Sequence, residues 1–161
     1  MNEYVNPTVV RDFIIESNQI EGITRSPLPR ELEAHQELLT RDQVTVESLE
    51  KFVYTVSNAR LRRRPGMNVR VGSHVVDPGG PEIEARLAQL LRLVCNLDQL
   101  TPFEAHVEYE LLHPFMDGNG RSGRALWAWH MIRDDEDPFA LPFLHRYYYQ
   151  SLDHAGSTYP A

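Results

Sequence analysis

Within the segment His113-Pro114-Phe115-Met116-Asp117-Gly118-Asn119-Gly120-Arg121-Ser122-Gly123-Arg124 stand an imidazole, a carboxylate, closely spaced glycines and two guanidiniums. Gly118 and Gly120 can take backbone angles that other residues avoid, so consecutive N–H groups can turn inward as an anion nest ahead of a helix N-terminus. Asp117, beside that nest, suits a Mg²⁺ that keeps most of its water and bridges phosphate oxygens. Arg121 and Arg124 are three apart, on one face of the first turn of the next helix, where both can reach a polyphosphate. His113 enters from the opposite side of the loop and is the natural proton acceptor at neutral pH. Together these groups describe a nucleotide held for in-line attack by a hydroxyl that His113 deprotonates, with no residue becoming covalently modified.

Helices must position this loop on both sides. Thr101 as N-cap, Pro102 at N1 and Glu104 at N3 form a capping box. The helix they start carries Phe103, Val107, Leu111 and Leu112 and stops at His113-Pro114, because proline disfavours helix in the residue before it. A following helix is expected from near Arg121 through Leu126, Trp127, His130 and Met131. Upstream, Asn6 and Pro7 open a helix bearing Val9, Val10, Phe13 and Ile14 that closes at Gly22. Apolar residues at helical spacing mark a second helix through Leu32, His35, Leu38 and Leu39, and a third through Val46, Leu49, Phe52, Val53 and Val56. From Pro65 to Pro81 the period changes to two, with Val69, Val71 and Val75 around Gly72-Ser73, as in a short hairpin. A helix from Pro81 to Leu97 buries Ile83, Leu87, Leu90, Leu91 and Val94 and is apolar enough to be central, and a last one holds Phe143, Leu144, Tyr147 and Tyr148. The expected fold is all-α with one small β-hairpin, a single domain over 1–161.

Composition narrows the function classes. A chain of 161 residues has room for one domain with a real core. Its net charge of −7 argues against general nucleic-acid binding, which draws its affinity from neutralising phosphates. Arg60, Arg62, Arg63 and Arg64 are the local exception: they would suit an acidic partner, but are read first as solvated arginines at a helix end that suit its dipole. No apolar run of about 18 residues is present, and Glu3, Arg11 and Asp12 interrupt any secretory signal, so a cytoplasmic protein without membrane association is expected. The lone Cys95 sits in an apolar helical pattern, as a buried, inert thiol would.

The loop resembles the Fic motif, His-Pro-Phe-x-Asp/Glu-Gly-Asn-Gly-Arg-x-x-Arg, at every defined position. Pro65-Gly66 followed by Val69-Arg70-Val71 is similar to that family's flap hairpin, over about 65–78, and the helix entering His113 to its motif-bearing helical hairpin. The resemblance implies transfer of AMP from ATP to a Ser, Thr or Tyr hydroxyl of a target protein, docked on the flap by β-augmentation. It implies that His113 takes the hydroxyl proton and that Asp117 holds Mg²⁺ against the α- and β-phosphates. Gly118, Asn119 and Gly120 would cradle the anion, Arg121 would stabilise the phosphates and Arg124 would grip the γ-phosphate.

Ser17 and Glu21, four apart at the end of the first helix, share one face, where Glu opposes the negative dipole end unless something compensates. Ser-x-x-x-Glu-Gly resembles the inhibitory motif of Fic proteins, in the class whose inhibitory helix is N-terminal, here 7–22. Glu21 is then expected to pair with Arg124 where the γ-phosphate would lie, or to position a water for removing AMP from a modified target.

Other classes compete. His106, Glu110 and His113, at i, i+4 and i+7 with Asp117 behind, have a spacing compatible with a metallohydrolase. That reading leaves the glycines and both arginines without a role. A P-loop is disfavoured because the Lys-Ser/Thr is missing and the loop follows a helix. A non-catalytic interaction module is the remaining alternative, against which the intact His113 and Asp117 count. Some Fic proteins use another diphosphate donor, and the motif does not reveal the donor. Tyr147, Tyr148 and Tyr149 are candidate self-modification sites, or aromatic packing.

Overall fold

The computed structural model describes residues 5–96 and 99–140. The described elements are α1 (Pro7–Ile20), α2 (Pro29–Leu39), α3 (Val46–Ser57), β1 (Arg70–Val71), β2 (His74–Val75), α4 (Pro81–Asn96), α5 (Pro102–Leu112) and α6 (Asn119–Arg133). The fold is mainly helical with one very small strand pair, as expected. The last expected helix, the tyrosines at 147–149 and Leu97 lie outside the described residues.

Local signals explain most boundaries. The Asn6 side chain accepts from the Thr8 N–H, with Pro7 at the first helical position. At the other end α1 stops at Ile20, and Gly22, at φ +74, lets the Ile23 N–H return to the Asn18 carbonyl. Thr101 and Glu104 exchange side-chain-to-backbone hydrogen bonds in both directions, so the capping box starts α5 as read. Caps of this kind contribute about 1 kcal/mol each. The buried stripe Ile83, Leu87, Leu90, Leu91 and Val94 of α4 offers roughly 1.5–3 kcal/mol per side chain, so packing dominates.

The centre belongs to α6, which packs on α5, α2, α1 and α3, while α4 lies against α5 and α3. Small residues make this possible: a Cβ at Gly123 would strike the Glu110 carboxylate and come within 3.0 Å of the Tyr109 ring. Ala125 and Ala128 are likewise fully buried. Cys95 is buried, its Sγ 3.6 Å from the Val44 carbonyl. Among the described residues no helix is long and apolar enough to cross a membrane.

The hairpin is shorter than its alternating valines suggested. Arg70 pairs with Val75 and Val71 with His74 in antiparallel register, Gly72 turns at φ +59, and Val69 lies just outside β1.

The arginine cluster corrects the sequence reading. α3 ends at Ser57 with Asn58 in the left-handed region as its cap, so residues 60–64 lie beyond the helix. There Leu61 bridges Phe115, the Arg62 N–H donates to the Pro114 carbonyl at 2.9 Å, and the Met116 N–H donates to the Arg60 carbonyl at 3.0 Å. This pairing carries Arg62 into the interior, with no exposed surface. Arg63 meets Glu50 at 2.6 Å and Glu84 at 3.2 Å. At the end of α3 it is Arg121 that donates to a terminal carbonyl, that of Val56, at 2.8 Å.

Candidate active site

His113 caps α5 in the left-handed conformation, at φ +49 and ψ +60, and its N–H still reaches the Tyr109 carbonyl. The helix thus ends at Leu112, and the turn swings the imidazole away from the helix face it would otherwise share. Nδ1 lies 3.3 Å from the Glu110 carbonyl, an oxygen that can only accept, so Nδ1 carries the proton and Nε2 is left as the acceptor. Burial lowers the His113 pKa below its ordinary value, opposed by the hydrogen bond to Glu110; the Arg62 charge lowers it further, while Glu21 and Asp117 raise it. The ring is therefore neutral at physiological pH, as a general base must be.

The next helix begins two residues earlier than expected. Gly118 is the N-cap at φ +79, and the Ser122 N–H donates to its carbonyl at 2.9 Å. A Cβ at Gly118 would also sit 2.9 Å from that of Ser57, so glycine is required by space as well as angle. Helix geometry leaves the N–H groups of Asn119, Gly120 and Arg121 without intrahelical acceptors, and these form the positive first turn. Gly120 is helical, so its need is space alone: a Cβ there would collide with the Glu21 carboxylate and stand 3.0 and 3.2 Å from the Arg124 guanidinium nitrogens.

The Asn119 side chain is buried and clamps the loop, accepting from the Phe115 N–H at 2.8 Å and donating to the Phe115 carbonyl at 2.7 Å. Beneath it lies a pair that the sequence reading missed: Tyr109 bonds Ser122 Oγ at 2.7 Å, and Ser122 Oγ bonds the Gly118 carbonyl at 2.7 Å. Ser122 is an undefined position of the motif, so only the burial pattern of α6 could have pointed to it.

Asp117 projects from the loop with its carboxylate largely exposed. Ser57 Oγ donates to its Oδ2 at 2.9 Å, and Arg121 stands 3.9 Å away. One exposed carboxylate beside the positive N-terminus of α6 would fit Mg²⁺, which takes few protein ligands. Arg121 is buried, held by the Val56 carbonyl. The two arginines therefore do not lie side by side on an open face; each is fixed by a different helix end.

Arg124 is almost completely buried and is held by the end of α1. Its Nε donates to Ser17 Oγ at 2.8 Å and its second terminal nitrogen to the Ser17 carbonyl at 3.0 Å and Glu21 Oε1 at 2.7 Å. The unfavourable placement of Glu21 at a helix C-terminus is thus compensated by a guanidinium that meets both the carboxylate and a terminal carbonyl. Positive charge also reaches the neighbouring helices. Burial first, and then Arg121 and Arg124 despite Glu31, push buried His35 down to about 4; burial and Arg124 push His106 down to about 3.

The metallohydrolase spacing does not assemble. His106 is buried with Nδ1 3.1 Å from the Gly123 carbonyl, and the left-handed turn at His113 breaks the shared face. Among the described residues no group of three or more His, Cys, Asp or Glu side chains is placed to hold a metal.

A family model described as the Fic/DOC family matches residues 19–131, which spans the loop, the hairpin and Glu21. Members of that family in general transfer a nucleotide monophosphate to proteins, which makes this chain a transferase-type enzyme in kind. With the match covering more than half of its length, the chain belongs to the Fic/DOC family.

Proposed function

We propose that this chain transfers AMP from ATP to a Ser, Thr or Tyr hydroxyl of a target protein, restrained by Glu21 until Arg124 is released. The observation that supports this most is the neutral imidazole of His113 beside a helix N-terminus whose first three N–H groups lack intrahelical acceptors. The hydroxyl oxygen attacks the α-phosphorus while its proton passes to His113 Nε2. The bond from the α-phosphorus to the bridging oxygen breaks, and pyrophosphate leaves. The N–H groups of Asn119, Gly120 and Arg121 hold the phosphates, with Arg121 beside them, and Arg124 takes the terminal phosphate, so orientation and charge supply most of the rate. Asp117 is the residue that would hold Mg²⁺, which when bound neutralises developing charge on the phosphates. The flap proposed to dock the target segment is Val69, Arg70 and Val71, of which Arg70 and Val71 form β1.

In this reading Glu21 competes with the γ-phosphate for Arg124. Removal of AMP is the alternative: the Glu21 side chain keeps 38% of its surface exposed, so one face of its carboxylate remains open to a water.

The test is to incubate wild-type, Glu21→Gly and His113→Ala proteins with Mg²⁺ and α-labelled ATP in lysate. Label on protein should rise with Glu21→Gly and vanish with His113→Ala. No label from any variant that binds ATP would move the reading to another donor or to a binding role; release of AMP from pre-labelled protein, lost with Glu21→Gly, would favour removal.

A further inference from the structure

Arg62 lies outside the loop motif, yet its fully buried guanidinium reaches four carbonyls on three separate stretches of chain. Nε donates to the His113 carbonyl at 2.7 Å and one terminal nitrogen to the Leu112 carbonyl at 3.0 Å. The other terminal nitrogen donates to the carbonyls of Asp77 at 2.7 Å and Met67 at 3.3 Å. The first two acceptors end α5, where the dipole is negative and the carbonyls lack intrahelical donors. The second two stand at the opposite ends of the segment that carries β1 and β2. Burial lowers the Arg62 pKa, yet its hydrogen bonds all go to backbone carbonyls, and the Asp77 carboxylate itself pairs with Arg86. A buried charge with no carboxylate as a hydrogen-bond partner is costly, and here it is offset by four backbone carbonyls that an apolar side chain would leave without this donor.

We infer that Arg62 is a positioning residue that fixes the left-handed turn of His113 and the base of the hairpin to each other, so that one side chain sets the distance between the docked target and the base. This rests on the proposed roles of His113 and the hairpin. The backbone supports it from the same place: the Arg62 N–H donates to Pro114, and the Gly80 N–H donates to the Arg62 carbonyl, both at 2.9 Å. Arginine is needed because its planar fork addresses several acceptors at once; lysine offers a single ammonium that cannot span both pairs.

The experiment compares Arg62→Lys and Arg62→Met in the Glu21→Gly protein by hydrogen exchange and by initial rates of label transfer from α-labelled ATP to lysate protein. Far-UV circular dichroism and ATP binding by calorimetry report folding and the nucleotide site. For Arg62→Lys we expect faster exchange in both 64–79 and 112–117, an apparent kcat lower by on the order of tenfold or more, and an ATP KM within about twofold. Arg62→Met should be more severe, and if it fails to fold, Arg62→Lys decides. Loosening of one segment alone or of neither, or a rate loss that only follows the folded fraction, would overturn the inference. If the parent transfers no label, the proposed function fails separately, and exchange in the two segments still decides whether Arg62 joins them.

Discussion

Glu21→Gly removes the carboxylate from Arg124 and leaves the two hydrogen bonds to Ser17 in place. Position 21 has φ −91 and ψ 8, open to glycine without strain, so the change acts chiefly on the ion pair. A hydrogen bond between charged groups is worth roughly 1.5–3 kcal/mol. With Arg124 1% and Glu21 38% exposed, screening on the carboxylate side favours the low end, about 1.5 kcal/mol. That is roughly tenfold in affinity. ATP, which must displace the carboxylate before its terminal phosphate meets Arg124, should bind about tenfold more tightly to the variant. ADP lacks that phosphate and should change far less. Calorimetric titration of both nucleotides with Mg²⁺ reads the difference. Equal ATP affinity in the two proteins, or the same gain for ADP as for ATP, would refute the competition.

Gly120→Ala places a methyl on the Glu21 carboxylate, so it should lower Tm by several degrees in the wild type and by less in Glu21→Gly, a non-additivity that a thermal double-mutant cycle measures. Because burial, with Arg62, lowers the His113 pKa, transfer by Glu21→Gly should hold steady on acidification and fall only below the ordinary value of 6.5; a midpoint above it in a pH–rate profile would contradict the neutral base. His35 and His106, at about 4 and about 3 when folded, contribute stability that is present above the unfolded value of 6.5 and lost as pH falls toward those values. Tm should therefore decline with acidification from about pH 6.5 to 4, with proton uptake on unfolding, and a flat profile would deny that these rings are buried neutral. Ser57→Ala frees Asp117 Oδ2 and should raise the half-saturating Mg²⁺ for transfer by about tenfold, with Tm little changed.

The loop from His113 to Arg124 could be singled out in the sequence because its candidate groups are local. Base, carboxylate, glycines and arginines fall within three turns' worth of chain, and the capping box at Thr101 fixes the helix that leads into them. Glu21 and Arg124 are far apart in sequence, and their contact was legible through the likeness of Ser17 to Gly22 to an inhibitory motif. Arg62 was not legible. Four neighbouring arginines look alike in composition, and only the pairing of 60–62 with 114–116 decides which one turns inward. For Asn119 and Gly120 the structure adds features that the loop sequence did not suggest: the Asn119 side chain clamps Phe115, and Gly120 leaves space for a carboxylate. Their side-chain environment is set by α1 and Phe115, which residue type alone does not specify. The central helix was misjudged for a related reason. The apolar stripe of α4 is conspicuous, whereas α6 earns its position through small residues that permit close approach on several sides.

The most direct test of the central claim supplies Glu21→Gly with ATP labelled at either the α- or the γ-phosphate, together with Mg²⁺ and lysate, and compares label retained on protein. AMP transfer predicts protein labelled from the α-position and none from the γ-position, with His113→Ala abolishing it. Label from the γ-position alone, or α-label that survives His113→Ala, would contradict the account.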